Sequence, residues 1–239
     1  MQTSTKAVSK ILAFALLCLL ICGETAQATI KTYSLAASQD DTRAISNAAD
    51  LNQFTLVVVK FGRYEQLGGN YDVATFLRYA LDIPRGAKII SAKLVFTAQA
   101  DRTGAFNTYI ARLDPAGANA WEGVNGFHTD NYADATALLA ISQDATQISY
   151  TPASWSAEGE YDSADITTLL QEQVDDSAYD PDSTNYIGLY IDDGDGDYIS
   201  IGTTSDERVP YAYDNGSKDV ELVVEYFVQS GIIATPMTP

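Results

Sequence analysis

The chain has 239 residues, with 14 Lys and Arg against 32 Asp and Glu, one His and a formal net charge of −18. So acidic a balance argues against nucleic acid, whose binding is driven by Lys and Arg replacing counterions, and against an anionic membrane surface. Both cysteines, Cys18 and Cys22, lie in the first 22 residues, so the rest of the chain has neither a disulfide framework nor a thiol nucleophile.

The first residues read as an address and not as part of the fold. Lys6 and Lys10 make a positive start, an apolar run follows from Ile11 to Ile21, and Ala26-Gln27-Ala28 supplies a small-x-small cleavage site. The apolar run is too short to cross a bilayer. Ile21 stands before Cys22 where a lipidation motif carries a small residue. The expectation is a signal peptide over residues 1–28, cleaved on export, and a secreted or cell-surface protein that starts at Thr29. Without Lys6, Lys10 and Glu24 that protein keeps 12 bases and 31 acids, a formal charge of −19. Such a charge keeps a secreted protein dispersed, and it also offers the hard oxygen ligands that calcium takes.

Beyond Thr29 the pattern is of short apolar or alternating segments separated by Gly, Asn, Asp and Pro, the signature of strands and turns. Strands are expected at 30–37, 54–61, 74–83, 88–98, 108–113, 147–150, 186–192, 198–202 and 220–228. Val57-Val58-Val59 and Leu222-Val223-Val224 read as buried on both faces. Two stretches carry helical spacing. In 165–174, Ile166, Leu169, Leu170 and Val174 share a face, with Asp165 placed to cap. In 133–141, Leu138, Leu139 and Ile141 would face inward behind Asp134. Neither helix alternates with strands as a parallel βαβ sheet requires. The fold class expected is therefore all-β, a jelly-roll β-sandwich over residues 29–229 with one or two short helices in its loops. The tail 230–239, which contains Gly231-Ile232-Ile233-Ala234-Thr235, is either frayed or a strand donated to a neighbour's sheet edge.

Phe76-Leu77-Arg78-Tyr79-Ala80-Leu81-Asp82-Ile83-Pro84, followed by Gly86-Ala87-Lys88-Ile89-Ile90-Ser91-Ala92-Lys93-Leu94, carries a family likeness. It resembles the L-R-F-D-(L/I)-P-x-G-A-x-I-x-S-A-x-L stretch of the DNRLRE-type jelly-roll domains, which are related to disaggregatase-associated domains and to carbohydrate-binding modules. Asp165-Ile166-Thr167, Tyr186-Ile187-Gly188-Leu189, Ser205-Asp206-Glu207 with Pro210, and the closing 220–226 are similar to later pieces of the same family in order. The resemblance implies a sandwich that binds polysaccharide. A polyuronate ligand is disfavoured electrostatically, because each of its sugars would bring a further negative charge to an acidic protein.

The chemistry-bearing residues are then few. Asp192, Asp193, Asp195 and Asp197 crowd one short stretch between two apolar runs. Its EF-hand register fails, because Tyr198 stands where Gly is required and Thr204 where Glu is required. The stretch reads as a hairpin tip, either solvated or holding calcium. Asp40 and Asp41, after the first strand, form a second candidate calcium site, with an Asx turn as the alternative. For sugar stacking, Trp121 and Trp155 in expected loops come first, with Tyr132, Glu122 and Asn125 beside Trp121 in the chain. His128 is the only histidine, too little for a zinc site, and no carboxylate spacing selects a hydrolytic pair. The sequence thus reads as a secreted, non-catalytic, calcium-compatible polysaccharide binder. The alternatives are a matrix protein that self-associates into filaments through sheet edges and the tail, and a polysaccharide-degrading enzyme.

Overall fold

The structure is a computed structural model that describes residues 27–45, 59–66, 69–114, 126–127, 135–182, 186–192 and 207–228. Its strands are β1 (Thr29–Tyr33), β2 (Asp41–Ile45), β3 (Phe61–Gln66), β4 (Gly69–Ala80), β5 (Lys88–Thr97), β6 (Thr108–Leu113), β7 (Gln143–Tyr150), β8 (Glu160–Asp162), β9 (Tyr186–Asp192), β10 (Glu207–Arg208) and β11 (Glu221–Phe227). Two short helices, α1 (Ala135–Leu139) and α2 (Thr167–Asp175), and the single 3-10 turns Ser38–Asp40 and Tyr213–Asn215 complete it. No helix among the described residues is long and apolar enough to cross a membrane.

Two antiparallel sheets face each other. The smaller has the order β1-β11-β5-β8; the larger runs β10-β3-β4-β9-β6-β7, with β2 also paired to β4. The chain crosses between sheets repeatedly, so strands adjacent in space are distant in sequence, as in the expected all-β sandwich. The stretch 76–94 makes one such crossing. β4 ends in the larger sheet, Pro84 accepts from the Ala87 N–H at 3.0 Å, and β5 starts in the smaller sheet. Gly86 turns the corner at φ 69°, a conformation open to glycine because it lacks a Cβ.

The sandwich interior is one apolar cluster that includes Phe61, Leu77, Tyr79, Leu94, Phe96, Ile110, Ile187, Leu189, Leu222 and Val224. Alternation along β4 sends its other face outward. There Ala74 and Phe76 form a second buried cluster with Leu113, Phe127, Leu138, Ile141 and Tyr190. Part of the larger sheet is therefore covered on both sides, by β-sandwich packing within and by α1 and Phe127 without. β11 departs from the expectation of burial on both faces. Its pattern alternates, with Leu222, Val224 and Tyr226 inside and Val223 partly exposed on the outer face, because nothing among the described residues is layered over the smaller sheet.

α2 is placed by its apolar face, on which Ile166, Leu169, Leu170 and Val174 are fully buried. Asp165 accepts the Thr167 N–H at 2.8 Å in the turn ahead of the helix, but the N-cap position is Ile166, which makes no side-chain cap hydrogen bond, so the expected Asp165 cap is not formed. The helix also finishes the edge of β5. β8 pairs only with Val95 to Thr97. Further along, the Leu94 N–H donates to Ser163 Oγ, the Ala92 N–H to Thr167 Oγ1 and the Ile89 N–H to Gln171 Oε1. Side chains thus occupy edge groups that strand pairing leaves over. β2, β3, β8 and β10 were not expected from the sequence. Asp41-Thr42-Arg43-Ala44-Ile45 in particular is too polar to look like a strand, yet pairs residue by residue with β4. The strand expected at 198–202 lies outside the described residues.

Candidate functional site

The 3-10 turn Tyr213–Asn215 ends in Gly216, whose φ of 79° and N–H to the Tyr213 carbonyl (2.9 Å) swing the chain back toward β11. The returning segment packs against the stretch between β1 and β2 and leaves a cleft of about 550 Å³. Its walls are Ser34, Leu35, Tyr213, Asp214, Ser217, Asp219 and Glu221. Carboxylates hold the two sides together. The Tyr213 N–H donates to Asp41 Oδ2 at 2.8 Å, Ser38 Oγ to Asp214 Oδ1 at 2.8 Å, and the Leu35 N–H to Asp219 Oδ2 at 2.9 Å.

The cleft is acidic and incompletely satisfied. Asp214 Oδ2 is buried and has no hydrogen-bond partner, a state that native proteins ordinarily relieve with a donor from water or ligand. Burial lifts the Asp41 carboxyl to about 8. The Tyr213 N–H opposes that rise, while the negative neighbours Asp214, Asp40 and Asp219 add to it. Glu221 is raised as well, first by burial and then by Asp219 and Glu160. The nearby base Lys218 is already engaged, paired with Glu158 and leaning over the Tyr211 ring at 5.4 Å. Chemically the cleft presents oxygen acceptors around a tyrosine, which suits hydroxyl or amine donors and repels anions.

Several expected site residues have other work. Trp155 is corrected: it is 2% exposed, stacked on Tyr161 at 5.1 Å and 11°, and set edge-on to Phe61 at 6.0 Å. A ring so enclosed has no face for a pyranose. Asp40 is corrected too. It is 2% exposed and paired with Arg78, whose Nε donates to Oδ1 at 2.6 Å, while its Oδ2 accepts the Ala36 N–H at 3.1 Å. Its charge is balanced by the guanidinium and both oxygens are taken, so it does not fit a calcium ligand. Asp41, its neighbour, is bound to Tyr213 as described. Among the described residues no group of three His, Cys, Asp or Glu is arranged to hold a metal ion. Asp192 closes β9, with its carboxylate accepting the Tyr190 hydroxyl at 2.6 Å and its carbonyl accepting Thr108 Oγ1. Burial and this carboxylate together push the Tyr190 phenol well above its ordinary range. Asp193, Asp195, Asp197, Trp121, Glu122, Asn125, Tyr132 and His128 lie outside the described residues.

Sequence reasoning missed Asp214, Asp219 and Glu221. The available signal was Tyr213-Asp214-Asn215-Gly216-Ser217, a turn sequence with polar side chains between two apolar segments. Such turns are common, and only the fold shows that this one faces the stretch after β1. Glu207 and Pro210, which the family resemblance singles out, are structural here. Glu207 is 3% exposed and binds Arg102 Nη2 at 2.7 Å, and the Pro210 carbonyl accepts the Val59 N–H at 3.1 Å.

The chain matches no protein-family model and no curated protein. What the site can do must be read from its own geometry.

Proposed function

We propose that this protein is a secreted, non-catalytic carbohydrate-binding protein that recognises neutral, hydroxyl-rich polysaccharide outside the cell or at its surface. The observation that carries the reading is the acidic cleft lined by Tyr213, Asp214, Asp219 and Glu221. The carboxylates of Asp214, Asp219 and Glu221 in the cleft wall suit sugar hydroxyls, and Tyr213 offers the ring against which a pyranose packs. The resemblance carried by residues 76–94 and the sandwich scaffold support the same class. The surplus of acid argues for neutral over uronate sugars. Calcium belongs to the proposal through Asp192, Asp193, Asp195 and Asp197, where a divalent ion would relieve repulsion among four carboxylates crowded in six residues.

Retention on an array of neutral and acidic glycans tests the proposal. Neutral chains should be held, and Asp214→Ala and Tyr213→Ala should each weaken retention about tenfold or more while the circular dichroism spectrum stays unchanged. Absence of binding across both sets of glycans refutes it. Melting with and without a chelator tests the calcium part by itself, since an unchanged melting temperature removes the ion from the account.

A further inference from the structure

The smaller sheet has two edges, and they are treated differently. On one side β8 is three residues long and the rest of β5 is finished by side chains of Ser163 and of α2, as described above. On the other side β1 pairs with β11 alone among the described residues. Its five residues, Thr29 to Tyr33, therefore offer a row of backbone donors and acceptors, the usual template for another strand.

An apolar corner adjoins this edge. The large hydrophobics exposed among the described residues are Ile30 at 68%, Val228 at 47% and Ile90 at 44%. Pairing brings them to one end of the sheet. Ile30 stands opposite Glu225, Glu225 opposite Ser91, Ile90 lies in the irregularity between Ile89 and Ser91, and Val228 follows the last residue of β11. The same end of the sheet launches the segment that contains Gly231-Ile232-Ile233-Ala234-Thr235.

We propose that the open edge of β1 and this corner receive Gly231 to Thr235 of a second copy of the chain, added as an antiparallel strand. The donor's own copy is excluded by connection geometry. Both edges of β11 are occupied, by β1 and β5, so the segment could reach the open β1 edge of its own molecule only by passing over β1. It would then lie parallel to β1, with only Gln229 and Ser230 between Val228 and Gly231. Passing over β1 spans two strand spacings, about 10 Å, while the three Cα steps from Val228 to Gly231 reach at most about 11 Å, so no length is left to reverse the chain. A strand from another copy has no such restriction. With a period of two, Ile232 and Ile233 fall on opposite faces, so one of them meets Ile30 in either register. Donor and acceptor are different surfaces of one molecule, which makes the contact heterologous and lets copies add head to tail. The inference stands independently of glycan binding.

Sedimentation velocity over a concentration series tests it with the purified protein, a variant lacking residues 231–235, the Ile30→Lys variant, and an equimolar mixture of the two variants. Ile30 is mostly exposed, so the substitution leaves the fold intact, which circular dichroism checks. The expected result is species beyond a dimer for the parent protein, association at least about tenfold weaker for each variant alone, and a dimer that grows no further in the mixture. In that mixture one partner brings the tail and the other the edge. A parent protein that stays monomeric, a deletion variant that associates like the parent, or a mixture without dimer each overturns the proposal.

Discussion

Asp41→Asn distinguishes a buried acid that holds a proton from one that holds a charge. Asp41 is 3% exposed, and burial raises its carboxyl from an ordinary 3.8 to about 8. Between those two values the folded protein keeps a proton that the unfolded chain releases, so stability from this group falls as pH rises through about 4 to 8. At pH 8 the ceiling on that loss is about 6 kcal/mol, taking about 1.4 kcal/mol for each pH unit. Relaxation and water penetration bring the expected figure to about 2 kcal/mol. Asparagine keeps an oxygen for the Tyr213 N–H and carries no charge. The variant should therefore exceed the parent by about 2 kcal/mol in urea unfolding at pH 8, and the difference should shrink toward zero at pH 4. A variant less stable than the parent at pH 8 would refute the reasoning, because it would mean that the carboxylate is charged and held by a partner.

Arg78→Met leaves Asp40 buried without its partner and should cost about 3–5 kcal/mol in urea unfolding; adding Asp40→Leu should restore part of that loss. Trp155→Ala should lose about 3–5 kcal/mol of stability, yet leave glycan retention unchanged well below its melting temperature. Gly126 has φ 49°, and a Cβ there would lie 2.7 Å from Arg78 Cζ and against the Gln39 carbonyl. Gly126→Ala should thus cost roughly 3 kcal/mol, read from the melting temperature. Head-to-tail association should strengthen as salt is raised from about 0.01 M to about 1 M, because the screening length drops from about 30 Å to about 3 Å between copies of one sign; weaker sedimentation coupling at high salt would contradict a contact made of backbone pairing and isoleucine.

What could be read from the sequence follows its periodicity. The strands 108–113 and 186–192 are found with the expected bounds, and α2 sits within two residues of its expected start, because each presents an apolar pattern that needs burial in one direction. β2 was missed for the opposite reason. Its Asp41, Thr42 and Arg43 look like a loop, and their burial comes from the turn Tyr213–Asn215 and from β4, about 170 and 35 residues away in the chain. The same separation hid the cleft. Trp155 was misread because indole in a Pro-Ala-Ser-Trp-Ser loop looks exposed, whereas Arg208 draws that loop inward. Its guanidinium donates to the carbonyls of Pro152 and Ala153 at 3.1 and 2.7 Å and lies 5.8 Å from the indole.

The placement of the bases links the interior to the outside. Arg78, Arg112 and Arg208 are at most 7% exposed, and each is spent within the molecule: on buried Asp40 for Arg78, on half-buried Asp144 and buried Gln173 for Arg112, and on backbone carbonyls for Arg208. Lys31, Lys93 and Lys218 are tied to Asp82, Asp162 and Glu158 at the surface. A chain that already has more than twice as many acids as bases thereby uses much of its positive charge for internal satisfaction. Each pair removes one base with one acid, so the net charge is unchanged and the charge left unpaired is predominantly negative. The resulting field disfavours anionic ligands and like-charged neighbours. The two contacts proposed above rely instead on uncharged groups: sugar hydroxyls at the carboxylate oxygens of the cleft, and backbone amides with isoleucine side chains at the edge of β1.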